Sequence, residues 1–209
     1  MSGRFLYVEG KDDLHVIGNL WKVWGGEDKY FLIKQQQGIE TLLTAMEVIL
    51  SPRKGSDTQI GFVVDADEDA QNSWTRIKDR LKNFEYQGIP ELMPKEGLVV
   101  DTHIQRPKVG VWIWPDNQSR GILEDFLRSM VPEHDELWEK ADSVLNEISV
   151  LGMQRFSEVA LPKALIHTWL AWQETPGKPY GQSISAKYFD LSAAEAFHQW
   201  LIRLFSPAP

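Results

Sequence analysis

Apolar residues in the first part of the chain come in short continuous runs, and each early run is followed by a segment in which apolar residues recur every three or four positions. The runs are typical of buried strands, and the recurrence is typical of helices with one apolar face. Continuous strands separated by helices predict an α/β fold with a mostly parallel sheet that is flanked by helices. The predicted strands are Arg4–Val8, Tyr30–Ile33, Ile60–Val64, Leu98–Val100 and Val109–Trp114.

The second part of the chain is predicted to be helical. Helices are expected over residues 133–149, 161–173 and 192–205, because the apolar positions there keep the helical spacing. Ser192 followed by Glu195 has the pattern of a capping box, which predicts the start of the last helix. We therefore expect an α/β domain over residues 1–130 and a helical C-terminal extension over 131–209 that packs on it, as separate parts or as one compact domain.

The composition is that of an ordinary folded protein. Hydrophobic residues make up 43% of the 209 residues and charged residues 25%, unlike the composition of a disordered chain. Cysteine is absent, so disulfides, thiolate metal sites and cysteine nucleophiles are excluded. No apolar run approaches the roughly 18 residues of a membrane span, and the N-terminus lacks the pattern of a secretory signal. We expect a cytoplasmic protein that does not associate with membranes.

The charge balance argues against indiscriminate binding of nucleic acid. The net charge is −8, from 22 basic and 30 acidic residues, whereas a basic surface is what favours such binding. Carboxylates that hold divalent cations add to the acidic count, yet they present positive charge to a phosphate once they are loaded. The positions of the acidic residues are therefore more informative than their number.

Acidic residues collect at the predicted carboxyl ends of the strands. Glu9 follows the first strand, Asp65, Asp67 and Asp69 end and follow the third, and Asp116 follows the last. Ligands of open α/β sheets bind at this edge. Mg²⁺ prefers oxygen ligands there, with water and substrate phosphate completing its shell, and a pair of such metals suits phosphoryl transfer. The pattern predicts a divalent-cation site with phosphoryl-transfer chemistry.

These residues resemble motifs of the Toprim domain, the catalytic domain of topoisomerases, bacterial primases and OLD-family nucleases. The first motif is Leu6-Tyr7-Val8-Glu9-Gly10, and the second is Phe62-Val63-Val64-Asp65-Ala66-Asp67-Glu68-Asp69. The segment Gly121-Ile122-Leu123-Glu124-Asp125 is similar to a later acidic motif of OLD-type domains. The whole chain looks similar to small prokaryotic proteins that consist of a Toprim-like domain alone. The resemblance implies that the α/β domain over residues 1–130 has a Toprim-like or Rossmann-like fold.

The resemblance implies a nuclease that hydrolyses phosphodiesters of DNA or RNA with Mg²⁺ or Mn²⁺ as its cofactor. The residues that would hold a first metal are Glu9, Asp65 and Asp67, and those that would help a second are Asp13 and Glu124. Asp69 and Asp116 are lesser candidates for metal binding. Lys163, at the start of a predicted helix, would steady the negative charge of the transition state. Besides nucleic acid, a second copy of the chain or a partner protein is an open expectation.

Two other interpretations stay open. Asp65 and Asp67 also fit the Asp-x-Asp motif of dehalogenase-type phosphatases, in which Asp65 would be the nucleophile and Asp67 the acid. The acidic residues could instead cap helices in a non-catalytic or partner-dependent binding module.

Four basic residues of the third predicted helix would either follow a nucleic-acid backbone or form a solvated helix face. They are Arg76, Lys78, Arg80 and Lys82.

Overall fold

Five strands form one sheet in the computed structural model, which describes residues 3–51, 58–101 and 106–206. They are β1 (Arg4–Val8), β2 (Leu32–Gln35), β3 (Gln59–Asp65), β4 (Leu98–Val100) and β5 (Lys108–Trp114). The strand order is β2-β1-β3-β5-β4, so β3 is central. Pairing is parallel from β2 through β5, and only the short β4 runs antiparallel to its neighbour β5. The predicted α/β fold with a mostly parallel sheet is confirmed.

Helices cover both faces of this sheet and make up most of the C-terminal part. They are α1 (Lys11–Val23), α2 (Ile39–Ile49), α3 (Ala70–Asn83), α4 (Leu123–Ser129), α5 (Glu136–Val150), α6 (Leu161–Ala171), α7 (Tyr180–Ser185) and α8 (Glu195–Phe205). Two short 3₁₀ helices, Glu158–Ala160 and Leu191–Ala194, precede α6 and α8. None of the helices in the described ranges is long and apolar enough to cross a membrane.

The two faces of the sheet are packed by different helices, because successive side chains of a strand point to opposite faces. Phe62 of β3 belongs to a buried cluster with side chains of α2 and α3, including Trp74. The next residue, Val63, belongs to a second cluster on the other face. That cluster contains side chains of α1 together with Trp169 of α6 and Trp200 of α8. The C-terminal helices therefore share a core with the N-terminal half of the chain.

Helix α8 crosses the sheet where two glycines meet. Gly61 of β3 and Gly110 of β5 are register partners. A Cβ atom would lie 2.8 Å from the side chain of Leu204 if it were added to Gly61, and 2.9 Å if it were added to Gly110. The missing side chains thus allow α8 to pack directly on the strands, which buries Trp200 completely.

The structure differs from the predictions at one edge strand and in three short helices. Strand β2 (Leu32–Gln35) lies two residues later than the predicted strand Tyr30–Ile33. The sequence does not predict α4 and α7, which have 7 and 6 residues and offer too few turns for a periodic pattern. The predicted capping box is wrong. Helix α8 begins at Glu195, and Ser192 lies in the preceding 3₁₀ helix, where its backbone N–H donates to Asp190 Oδ1 at 3.0 Å.

Candidate active site

Glu9 and Asp65 lie side by side because β1 and β3 are parallel neighbours. Glu9 directly follows β1, and Asp65 is the last residue of β3. The backbone N–H of Asp65 donates to Glu9 Oε1 at 2.9 Å. The predicted convergence of these two residues at the carboxyl edge of the sheet is present in the structure.

Asp13 reaches the same edge from the first turn of α1. Its Oδ2 accepts from the backbone N–H of Gly10 at 3.0 Å, and its Oδ1 accepts from the indole Nε1–H of Trp114 at 2.8 Å. Trp114 ends β5 and is fully buried, and Asp13 is 6% exposed. The carboxylate is therefore held between two strand ends, and Trp114 is a site residue that the sequence does not single out.

The backbone of Asp67, just after β3, is hydrogen-bonded to the segment before α4. Its backbone makes a two-way bridge with Gly121, with N–H···O distances of 2.9 and 2.8 Å. Asp67 has a φ of 51°, in the left-handed region that Asp tolerates better than most residues. Next to it, Asp65 Oδ1 accepts from the backbone N–H of Leu123 at 3.0 Å. These contacts bring α4, and with it Glu124, to the same edge.

Glu124 faces helices α6 and α7. It is 5% exposed, and its Oε1 lies 3.5 Å from Lys163 Nζ. The hydroxyl of Tyr180 donates to the same oxygen at 3.2 Å. Lys163 Nζ also lies 3.9 Å from Asp12 Oδ2, and the lysine side chain is half exposed. The structure thus brings Lys163 to the acidic residues and adds Tyr180 and Asp12.

We use the name acidic cluster for Glu9, Asp13, Asp65, Asp67 and Glu124. Burial raises the pKa of Asp65 to about 9, and the like charges of Asp13, Glu9 and Asp67 add to that rise. Burial also raises the pKa of Glu9 to about 7, with Asp13 and Asp67 contributing. The pKa of Asp13 rises to about 6, again through burial first and with the charge of Glu124 adding to it. These carboxyls are close enough to repel one another, so a positive charge among them would be favourable.

Asp69 and Asp116 make their contacts elsewhere. Asp69 is the N-cap of α3, and its Oδ1 accepts from the backbone N–H of Gln71 at 2.9 Å. Asp116 accepts from Ser119 N and Gln118 N at 2.7 and 2.9 Å. Although burial opposes the change, these hydrogen bonds lower the pKa of Asp116. Both carboxylates organise their own turns, and for Asp69 this is the role that a helix-capping interpretation expects.

The basic residues of α3 are engaged with the protein itself. Lys78 and Lys82 each lie 2.8 Å from a carboxylate oxygen of Glu91. Arg76 pairs with Glu40, and Arg80 donates to the carbonyl oxygen of Leu43. These contacts attach α3 to α2 and to the segment after α3, so we do not assign the four residues to a nucleic-acid path.

The match to known proteins covers nearly the whole chain. Residues 3–206 match the family model described as a protein of unknown function, DUF3226. The chain belongs to this family. The match spans every residue of the acidic cluster as well as Lys163 and Tyr180. No curated protein and no solved structure matches the chain.

The acidic cluster of this DUF3226 chain fits a hard divalent cation by its chemistry. Its donors are all carboxylate oxygens, and their mutual repulsion is what a bound cation would relieve. Within the described residues, no group of three or more His, Cys, Asp or Glu side chains is arranged as a ready metal site. Mg²⁺ is commonly held by one or two carboxylates, with waters and substrate phosphates as its other ligands, so a closed protein cage is not required.

Four side chains at this edge are not among the predicted site residues. They are Asp12, Trp114, His167 and Tyr180. The spacing of Lys163 and His167 by four residues is a usable signal, since it places them on one helix face. Tyr180 gives no such signal, because its position depends on how the short helix α7 packs against α1.

Proposed function

We propose that this chain is a Mg²⁺- or Mn²⁺-dependent phosphodiesterase that hydrolyses nucleic acid. The observation that carries the proposal is the meeting of Glu9 and Asp65, from neighbouring parallel strands, with Asp13, Glu124 and Lys163 from three different helices. The resemblance of the surrounding motifs to Toprim domains supports the choice of nucleic acid as substrate and leaves DNA and RNA as alternatives for the assay.

Different acidic residues would hold each of two cations. Glu9, Asp65 and Asp67 would hold a first cation, and Asp13 and Glu124 would help to hold a second. When bound, such cations neutralise the oxygens of a phosphate and lower the pKa of an attacking water. The hydrogen bond from Trp114 keeps Asp13 in one orientation, so that its carboxylate does not have to be ordered when the substrate arrives.

Lys163 is the side chain that we assign to the substrate phosphate. Its ammonium group lies between Asp12 and Glu124 and is half exposed, so a phosphate can approach it from solvent. The lysine would stabilise charge that develops on the phosphate oxygens in the transition state. Lys11 and Arg120 are exposed and lie two and four residues before Asp13 and Glu124 in sequence, and we propose them as contacts for the polymer backbone.

The test uses purified full-length chain with Mn²⁺ or Mg²⁺ and three labelled substrates: single-stranded DNA, double-stranded DNA and RNA. We expect cleavage of at least one of them, with complete dependence on the added cation. Asp65→Asn removes a charged ligand and is expected to slow cleavage at least about 100-fold, because a catalytic cation supplies several kcal/mol of transition-state stabilisation.

The matched control is Asp142→Asn, which changes an exposed aspartate of α5 away from the acidic cluster and is expected to leave the rate within about twofold of the wild type. Cleavage that persists in Asp65→Asn would contradict the proposed site. Metal binding without cleavage of any of the three substrates would instead favour a non-catalytic binding module. A covalent aspartyl phosphate at Asp65 would favour a dehalogenase-type phosphatase.

A further inference from the structure

A chain of hydrogen-bonding groups leads from the surface of α6 to the buried carboxylate of Glu124. His167 is exposed, whereas Tyr180 is 4% and Glu124 5% exposed. Tyr180 Oη lies 3.0 Å from His167 Nε2 and 3.2 Å from Glu124 Oε1. The two rings are stacked, with centroids 5.1 Å apart. Tyr180 therefore contacts both partners through a single hydroxyl group.

The chemistry of the three groups sets the direction of the hydrogen bonds between them. A phenol keeps its one proton at neutral pH, and an ionised carboxylate can only accept. Hydrogen bonds to an ionised acceptor are the stronger ones, so the proton of Tyr180 points to Glu124. Tyr180 Oη then has only acceptor capacity left for His167. The imidazole must donate through Nε2–H, so the order is His167 to Tyr180 to Glu124.

Tyr180 is fixed in place by the packing of α7 on α1. The next residue, Gly181, lies so close to α1 that an added Cβ atom would be 2.6 Å from the carbonyl oxygen of His15. At the other end of α7, Ser185 Oγ donates to Asn19 Oδ1 at 2.8 Å. Because α1 also carries Asp13, this packing links the position of the Tyr180 hydroxyl to that of the acidic cluster.

We propose that Tyr180 and His167 are positioning residues that orient Glu124 for the second cation. The proposal rests on the function proposed above. Tyr180 and Lys163 both contact Oε1 of Glu124, so they fix the rotation of the carboxylate and leave Oε2 for the metal. Because His167 donates to Tyr180 Oη, the hydroxyl proton of Tyr180 stays directed at Glu124. Such outer hydrogen-bond partners commonly change metal affinity by 10- to 100-fold when they are removed.

The test measures Mn²⁺ binding to the full chain by calorimetry, without substrate. Tyr180→Phe keeps the stacked ring and removes only the hydroxyl, and we expect about tenfold weaker binding at the weaker of two sites. The side chain of His167→Gln can place an amide N–H near the position of Nε2, so it is expected to bind within about twofold of the wild type. His167→Asn is too short to reach Tyr180, and we expect it to resemble Tyr180→Phe.

The outcomes separate this inference from the proposed function. If Tyr180→Phe and His167→Asn bind Mn²⁺ like the wild type, or if the two His167 variants behave alike, the positioning role is wrong and the proposed function still stands. If the wild type binds no Mn²⁺, both are wrong. Thermal unfolding checks that each variant is folded. Should Tyr180→Phe fail to fold, the His167 pair decides, because that side chain is exposed.

Discussion

Replacing Asp65 by asparagine is expected to stabilise the metal-free protein at pH 8, although the same change should slow the proposed cleavage at least about 100-fold. Asp65 is held among Glu9, Asp13 and Asp67, and burial together with these charges raises its pKa from 3.8 to about 9. Asparagine has nearly the same shape, and its Oδ1 can still accept from the backbone N–H of Leu123. The substitution therefore removes an ionisable group and keeps its hydrogen bond.

The size of the effect follows from the two pKa values of Asp65. At pH 8 the folded state still holds the proton, whereas the unfolded chain has lost it, so the folded state binds more protons and stability falls as the pH rises from about 4 towards 9. With about 1.4 kcal/mol for each pH unit above 3.8, the full cost at pH 8 is about 6 kcal/mol. Because Asp65 keeps some contact with solvent, we expect about 2 kcal/mol. Below pH 4 the two proteins should be equally stable.

The measurement is urea unfolding followed by tryptophan fluorescence, at pH 4 and pH 8 with a chelator present. The nine tryptophans make this signal strong. Asp142→Asn serves as the control and should leave stability unchanged at both pH values. The reasoning is refuted if Asp65→Asn destabilises the protein at pH 8, or if it changes stability equally at the two pH values.

Three further predictions concern the neighbours of Asp65. Binding of Mn²⁺ should release protons and tighten as the pH rises from 6 to 9, because burial raises the pKa values of Asp13, Glu9 and Asp65 to about 6, 7 and 9 and these carboxyls must ionise to bind the cation. Calorimetry in two buffers with different ionisation enthalpies measures the protons released, and proton uptake or no exchange of protons would contradict this. Trp114→Phe should lower the free energy of unfolding in urea by about 3 kcal/mol, since it removes the donor to Asp13 and part of a buried ring. An unchanged free energy of unfolding would show that this contact is unimportant. Asp69→Ala should lower the free energy of unfolding by about 1 kcal/mol through loss of the α3 N-cap, and the decrease should be the same with and without Mn²⁺. A decrease that doubles in the presence of Mn²⁺ would identify Asp69 as a metal ligand.

Much of the fold is predictable because the strands of a covered parallel sheet are apolar throughout. The predicted strand Arg4–Val8 has the observed limits, and β3 extends the prediction by one residue at each end. Strand β2 was less well predicted. It lies two residues later than the apolar run, because Lys34 and Gln35 continue an edge strand whose side chains are largely exposed. Hydrophobic patterns locate buried strands more reliably than edge strands.

The candidate site is predictable only where strand ends supply it. Glu9 and Asp65 follow from the rule that parallel strands end at one edge, and the structure places them together. Asp69 and Asp116 also follow strands, yet their oxygens accept from backbone N–H groups two or three residues further along the chain. Sequence position does not distinguish a capping carboxylate from a ligand, since both lie at or soon after the end of a strand.

The contacts around Glu124 depend on tertiary packing and could not be predicted. Tyr180 reaches Glu124 only because Gly181 lets α7 approach α1 closely. Trp114 reads as a core residue in the sequence, and it is one, yet its indole N–H also holds Asp13. Such dual roles arise from the direction of one polar atom in a buried side chain. The spacing of residues in the sequence does not predict that direction.

The most direct test of the account is a crystal structure of the protein soaked in Mn²⁺, with data collected to locate the metal by its anomalous scattering. The account predicts a peak at the carboxyl edge of the sheet, with oxygens of Glu9 and Asp65 within about 2.5 Å of it. No peak there, or an Mn²⁺ ion bound only away from the acidic cluster, would contradict the proposed metal centre.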